Sequence, residues 1–239
     1  MGCRDCVRGL TDLSCSFGEE GLFWDTGVSL DSISPEIGEV CPTGAFHRIG
    51  EEMTVDEVLD EVEKDLKFYE NSEGGLTLSG GEPLVQADFA AAVLEEAGNR
   101  HIHRCVETCG CVSPEIIKRV TPLLDCIIAD VKLLDEEEHI RWTRASNRQI
   151  LENLHIIRRL RPELPMLIRT PVIPGVNDRE DVLERIATLA HDLDAGYEIL
   201  KYHRLGLSKY RSLHREYPMG DAELSESRFE ELKSKIMIQ

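Results

Sequence analysis

Leu76-Thr-Leu-Ser-Gly-Gly-Glu-Pro-Leu84 is the stretch from which the fold is read. Leu76 to Ser79 is a short apolar strand, and the glycine pair and Pro83 behind it are the residues that end strands. Upstream, Thr54 with Glu57 three residues on forms a capping box. Val55, Val58, Leu59, Val62 and Leu66 then fall on one helix face, and Gly74-Gly75 ends that helix. Downstream the pattern repeats. A helix over 86–98 precedes a strand over 102–107, and a helix from Pro114 precedes the strand 126–129. A helix carrying Ile150, Leu154 and Ile157 leads to a strand over 166–169. One carrying Val182, Ile186, Leu189 and Leu193 leads to a strand over 197–200, and Phe229, Leu232 and Ile236 mark a closing helix. Five strands alternating with helices predict an α/β fold with a parallel sheet or barrel over residues 54–239. Residues 1–53 form a separate block without helical periodicity.

The composition narrows the partners. Of 239 residues, 27 are Lys or Arg and 45 are Asp or Glu, for a net charge of −18. Such a surface has no means of releasing counterions from a phosphate backbone, which argues against a nucleic-acid partner. No run approaches the roughly 18 apolar residues of a membrane span, and no signal peptide opens the chain, so a cytoplasmic protein with no membrane partner is expected. Walker A, G-x-G-x-x-G and G-x-S-x-G motifs are absent; Thr77 stands where the last of these needs glycine.

Polar residues gather where each strand should finish: Ser79-Gly80-Gly81-Glu82, Glu107-Thr108-Cys109-Gly110, Asp130-Val-Lys132, Arg169 through Asn177-Asp178, and Lys201-Tyr-His203. Turns are polar anyway, which accounts for one or two of these. Five ends, each with an acid, a base or paired glycines, point to one site at the C-terminal rim, where such folds hold their chemistry. Gly80-Gly81-Glu82 suits close backbone approach and a cationic group, Lys132 suits a carboxylate, and His203 suits a ring. Together they fit an amino acid joined to a nucleoside. The same residues leave open an aldolase- or isomerase-like barrel enzyme working through Lys132, Glu107 and His203.

In this order and spacing, Cys41-Pro-Thr-Gly-Ala45, Phe68-Tyr-Glu-Asn-Ser72, Leu76 to Leu84, Glu107-Thr-Cys-Gly110, Asp130-Val-Lys132, the 169–178 stretch and Tyr202-His-Arg-Leu-Gly206 with Lys209-Tyr210 form a specific set. Over about Val40 to Met219 the chain resembles the glycyl-radical enzyme activating enzymes of the radical SAM superfamily, relatives of pyruvate formate-lyase activating enzyme. The resemblance implies a partial (β/α)₆ barrel and an oxidoreductase that cleaves S-adenosylmethionine (SAM) reductively at a [4Fe–4S] cluster. The radical formed takes a hydrogen from a glycine of a cognate glycyl-radical enzyme. An external one-electron donor such as flavodoxin or ferredoxin is implied, with anaerobic conditions. Carried over residue by residue, Gly80, Gly81 and Glu82 would hold the methionyl amino group. Glu107, Thr108, Asp130 and Lys132 would surround its carboxylate, Arg169 would face the site, and His203 would contact adenine.

The departures concern the cysteines. The family's C-x₃-C-x₂-C loop is not in the sequence, and the first barrel strand is expected to be missing with it. A truncated start is the favoured explanation, with a non-catalytic SAM-binding or electron-transfer relative as the alternative. An open edge left by a missing strand predicts poor solubility. Residues 1–53 resemble a degenerate ferredoxin-like insert. Cys3 and Cys6 keep half of a C-x₂-C-x₂-C-x₃-C-P run, while Asp31, Ser34 and Ile37 replace cysteines in the second, leaving Cys41 before Pro42. Cys3, Cys6, Cys15 and Cys41 either hold one auxiliary cluster or are left-over thiols of a collapsed loop, the simpler reading. Cys105 and Cys126 read as small buried hydrophobes in strands, Cys111 as a loop thiol, His101 and His103 as surface residues, and Glu136 to Glu138 as a solvated helix face. Lys201 replaces the family's proline, which is expected to change the rim charge, and Arg144 replaces a glycine.

Overall fold

The computed structural model describes residues 50–72, 74–212 and 215–236, with 211–212 as backbone alone, and the backbone of 15–18 and 21–24. The chain divides into two units, Met1–Met53 and Thr54–Gln239. In the first, strands β1 (Cys15–Gly18) and β2 (Gly21–Trp24) pair antiparallel, Cys15 opposite Trp24. Of the four cysteines expected there as cluster ligands, Cys15 lies in β1 as backbone alone; Cys3, Cys6 and Cys41 lie outside the described residues.

The second unit holds a five-stranded parallel sheet, open rather than closed, in the order β3 (Gly75–Leu78), β4 (His103–Thr108), β5 (Cys126–Asp130), β6 (Met166–Val172), β7 (Gly196–Lys201). The strands between them are crossed by helices, as parallel pairing requires. These are α3 (Ala87–Asn99), α4 (Pro114–Val120), α5 (Glu136–Thr143), α6 (Arg148–Leu160) and α7 (Glu180–Asp192). All five predicted strands are present at or within three residues of their expected ends. The helix predicted from Thr54 is interrupted. The capping box forms, with Thr54 N donating to Glu57 Oε2 at 2.7 Å, but α1 (Val55–Val62) gives way to a 3₁₀ turn over Glu63–Asp65 before α2 (Leu66–Ser72). Asp60, Glu61 and Glu63 gather at the end of α1 with no base in its last turn, and are answered from outside it, Asp60 and Glu63 by Arg100 and Glu61 by Lys64. Two further helices, α8 (Leu207–Ser212) and α9 (Glu226–Ile236), complete the described unit; α8 has no apolar periodicity to announce it.

The register sorts the strand residues onto two faces. Val106, Ile127, Ala129, Met166 and Ile168 lie on one face and are buried with Leu94, Ile117, Leu154, Ile157 and Ile186 of the helices in one core. On the opposite face stand Thr77, Cys105, Glu107, Asp130, Arg169 and Glu198, since alternate residues of a strand point opposite ways. Parallel sheets usually bury both faces in apolar side chains. Here one face is apolar and the other carries charge at its C-terminal end. A second core of Val172, Leu183, Ile199, Phe229 and Leu232 joins α9 to α7 and β7, and a third of Leu59, Val93, Ala97 and Ile102 joins α1 to α3. At Gly75 the strands β3 and β4 approach so closely that a Cβ would lie 2.2 Å from the carbonyl oxygen of His103, so the glycine is a packing requirement. Arg144, where the family has glycine, sits at φ 65° on the C-cap of α5, a left-handed position that glycine fills without strain.

A bidentate ion pair pins the start of β5 to β4. Asp125 accepts from Arg104 N at 2.9 Å, Nε at 2.8 Å and Nη2 at 3.0 Å. The Arg104 guanidinium holds the Asp125 carboxyl below its ordinary value of 3.8. The unfolded chain therefore takes up the proton first. The pair's contribution is complete well above pH 3.8 and is lost as pH falls through the lower folded value. Asp125→Asn is expected to lower the unfolding midpoint at pH 7 and to flatten the acid limb of the stability curve below pH 4. Parallel acid limbs for the two proteins would remove this pair from the account.

Candidate functional site

The site is built from the loops that leave the C-terminal ends of the strands. After β3, Gly80 takes φ +128°, a conformation that side chains rarely adopt, and a Cβ on Gly80 or Gly81 would meet no atom within 4 Å. The two glycines border open space. Glu82 then caps the 3₁₀ turn Pro83–Gln86 by accepting from Leu84 N at 3.0 Å. Its carboxylate also accepts from Thr108 Oγ1 and Cys109 N, each at 2.8 Å. Three of about four acceptor positions on the carboxylate are thus filled by the protein. Thr108, 3% exposed, accepts in turn from Gly110 N at 2.9 Å. Glu82 and Thr108 together tie the loop after β3 to the loop after β4. Beside them, burial and the Glu82 carboxylate push the Cys109 thiol up to about 11.

Across the charged face runs a chain of contacts. Ser79 Oγ donates to Glu107 Oε2 at 3.1 Å, and Arg169 Nη1 donates to Glu107 Oε1 at 3.1 Å. Arg169 Nε donates to Glu198 Oε2 at 2.9 Å. The guanidinium is partly desolvated, yet Glu198 and Glu107 hold its pKa above the ordinary value. Asp130, opposite Arg169 in the register, pairs with Lys132 at 3.1 Å. Four carboxylates (Glu82, Glu107, Asp130 and Glu198) thus face two cations, Lys132 and Arg169, and the rim is net negative. His203 is exposed just beyond β7. Lys201 points away to Glu226 on α9, so its expected effect on the rim charge is largely spent on that ion pair.

Several supports of the site were given no role by sequence. Asn177, fully buried, accepts from Ile173 N at 2.6 Å and donates to Lys132 O at 2.9 Å and Pro171 O at 3.0 Å, joining the loops after β5 and β6. Asn153, 1% exposed, donates to Gly110 O at 2.9 Å and Val112 O at 2.8 Å, fixing the loop after β4. It interrupts the apolar stripe of Ile150, Leu154 and Ile157, and a polar residue on such a face is the signal that marks it. Glu198 has its signal in register, one strand over from Arg169. Among the described residues no three His, Cys, Asp or Glu side chains are grouped to hold a metal. A pocket of about 410 Å³ takes Val176 and Asp178 from the loop after β6 with Leu134, Arg141 and Val182, and has none of Glu82, Glu107, Asp130, Lys132, Arg169 or His203 in its lining. The groups on which an aldolase- or isomerase-like enzyme would rely are both engaged: Lys132 is ion-paired to Asp130, and Glu107 accepts from Ser79 and Arg169.

Comparison with known proteins places this geometry. Residues 27–187 match the family model of the radical SAM superfamily. The isethionate sulfite-lyase activating enzyme of Nitratidesulfovibrio vulgaris is 44% identical over 234 residues, covering 98% of this chain and 76% of that protein. The (2S)-3-sulfopropanediol sulfolyase activating enzyme of Bilophila wadsworthia is 45% identical over 179 residues, covering 74% of this chain and 59% of that protein. The solved structure of a domain of pyruvate-formate lyase-activating enzyme from Bacteroides vulgatus superposes with a TM-score of 0.54 at 27% identity, covering 69% of this chain and 94% of that one. The expected fold and kinship are both met, and the chain belongs to the glycyl-radical enzyme activating enzymes of the radical SAM superfamily.

Proposed function

We propose that this protein binds SAM on the negative rim of its sheet and activates a glycyl-radical enzyme of the sulfite-lyase or sulfolyase kind. The superfamily's chemistry uses SAM and a [4Fe–4S] cluster, the latter supplying the electron that cleaves SAM. The observation that carries the reading is the charge balance of the rim: four carboxylates against two cations suit a ligand that bears a sulfonium and an ammonium against one carboxylate. The open space at Gly80 and Gly81 leaves loop carbonyls and the last acceptor position of Glu82 for the ammonium. Lys132 and Arg169 are the cations near enough to the strand ends to meet the carboxylate, and exposed His203 supplies a ring for adenine. Glu107, Asp130 and Glu198 orient those two cations, and Thr108 acts through Glu82. The radical cluster does not fit the described residues, none of which form a three-ligand group, and the C-x₃-C-x₂-C motif is not within the 239 residues.

The partner follows from the relatives, whose names specify an isethionate sulfite-lyase and a sulfopropanediol sulfolyase. The proposal includes a one-electron donor such as flavodoxin or ferredoxin and a cytoplasmic setting; no helix among the described residues is long and apolar enough to cross a membrane. Calorimetric titration of the purified protein tests the site. SAM is expected to bind, and S-adenosylhomocysteine, which lacks the sulfonium charge, to bind about tenfold more weakly, a difference of about 1.4 kcal/mol. Equal affinities would refute the electrostatic reading, and no binding of either would refute the site. Anaerobic mixing with an isethionate sulfite-lyase and with a 4-hydroxyphenylacetate decarboxylase, followed by analytical gel filtration, tests the partner. Co-elution with the first alone is expected; co-elution with the second alone would overturn the assignment.

A further inference from the structure

Cys105 and Cys126 stand directly opposite each other on β4 and β5. Neighbouring strands lie about 4.8 Å apart, within the Cα separations of about 4.4–6.8 Å that disulfides span. Both side chains are on the sheet face that carries Glu107 and Arg169, side by side in the register of the two strands. The pair is also asymmetric. Cys126 and Thr77 on either side of it, with the charge of Arg169, lower the Cys105 pKa against its burial and the charge of Glu107, while Cys105, burial and Asp125 raise that of Cys126. No other described cysteine has this arrangement. Cys109 is held protonated by burial and Glu82, and Cys111 is an exposed loop thiol. A small buried hydrophobe would need no thiol partner across the strand.

We propose that Cys105 and Cys126 are a dithiol that a small hydroperoxide closes to a disulfide, linking β4 to β5 two residues below Glu107. The Cys105 thiolate attacks one peroxide oxygen, the O–O bond breaks and hydroxide leaves as water, giving a sulfenic acid. The Cys126 sulfur then attacks the Cys105 sulfur, the S–O bond breaks and a second water leaves. Two thiols lose two hydrogens and two electrons, and hydrogen peroxide becomes two waters. Cys105 is the nucleophile because it stands one strand closer to Thr77, which is opposite it on β3, with Arg169 on the same face, and Cys126 is the resolving thiol. A covalent bridge at this height would fix the spacing of β4 and β5, whose ends carry Glu107 and Asp130, so oxidation would be registered at the rim.

The test treats the reduced full chain with hydrogen peroxide, blocks remaining thiols and maps peptides without reductant. A single species linking the Cys105 and Cys126 peptides is expected, lower by about 2 Da than the sum of the free peptides and split by dithiothreitol. Cys105→Ser should abolish the link and leave Cys126 unmodified. Cys126→Ser should instead trap a sulfenic acid on Cys105 that dimedone labels. Sulfinic acid on either residue without the link, or a link from Cys105 to Cys109, would overturn the proposal. The map is read without SAM, so its result stands apart from the outcome of the ligand titration.

Discussion

Glu82→Ala is expected to lower the thermal midpoint by about 9 °C. The substitution strands Leu84 N, Cys109 N and the Thr108 hydroxyl, all of which donate to one carboxylate at 2.8–3.0 Å. Each charge-assisted bond contributes about 1 kcal/mol or more, so the loss is about 3 kcal/mol. For a chain of this size that converts at about 3 °C per kcal/mol. Glu82→Gln keeps the shape but offers an amide to one of the donors, and about a third of the loss is expected. Thr108→Val should cost about 2 kcal/mol, of which about half should remain in the Glu82→Ala background, because the bond to Glu82 is shared while Gly110 N still loses its acceptor. Calorimetric melts of the three variants and the double variant decide the matter. Additive losses, or a shift in Glu82→Ala below 2 °C, would mean that the loops after β3 and β4 are held by something else.

Asn177→Asp is expected to destabilise more than Asn177→Ala, although aspartate is the closer isostere. Asn177 is fully buried, and its Nδ2 donates to two carbonyls on different elements, Lys132 O in the loop after β5 and Pro171 O near the end of β6. Alanine leaves both carbonyls and Ile173 N without a partner, a loss of about 3 kcal/mol. Aspartate sets a buried carboxylate oxygen against two carbonyl oxygens, and about 4 kcal/mol is expected. The variant's carboxyl prefers its proton in the folded state, because the protonated group regains one donor. Its folded pKa is therefore raised, and part of the loss should return as pH falls through that value. Denaturant midpoints at pH 7.5 and pH 5 provide the check. An Asp variant as stable as the Ala variant at pH 7.5 would contradict the clamp.

These two clamps also mark the limit of what was legible in advance. Strands and helices announce themselves through periodicity, and Leu76 to Leu84 locates the first βα turn of the sheet because glycine pairs and proline cannot continue a strand. The rim acids and bases were legible for the same reason: they occupy the positions where strands end. Their partners were not. That Glu82 accepts from Thr108 depends on β3 lying beside β4, and that Arg169 bridges Glu107 and Glu198 depends on a register across four strands. Thr108, expected beside a ligand carboxylate, has its hydroxyl turned to Glu82. Asn177 was visible as part of a strand end but carried no local pattern to give it a role. The break between α1 and α2 escaped because the apolar stripe from Val55 to Leu66 runs through it.

The order of strands in space, β3 to β7, is also their order in the chain. Each newly synthesised strand therefore finds its neighbour already made, and the sheet is able to grow at one edge as the chain leaves the ribosome. The charges do not arrive so evenly. Glu107 and Asp130 come out early, Lys132 follows Asp130 at once, but Arg169 emerges 62 residues after Glu107 and Glu198 a further 29. Until β6 docks, Glu107 stands without its arginine while Lys132 already answers Asp130, and that uncompensated carboxylate disfavours premature collapse onto the face. The apolar face is under no such restraint. Synthesis would thus commit the helix-covered side first and leave the ligand side hydrated until its arginine is in place.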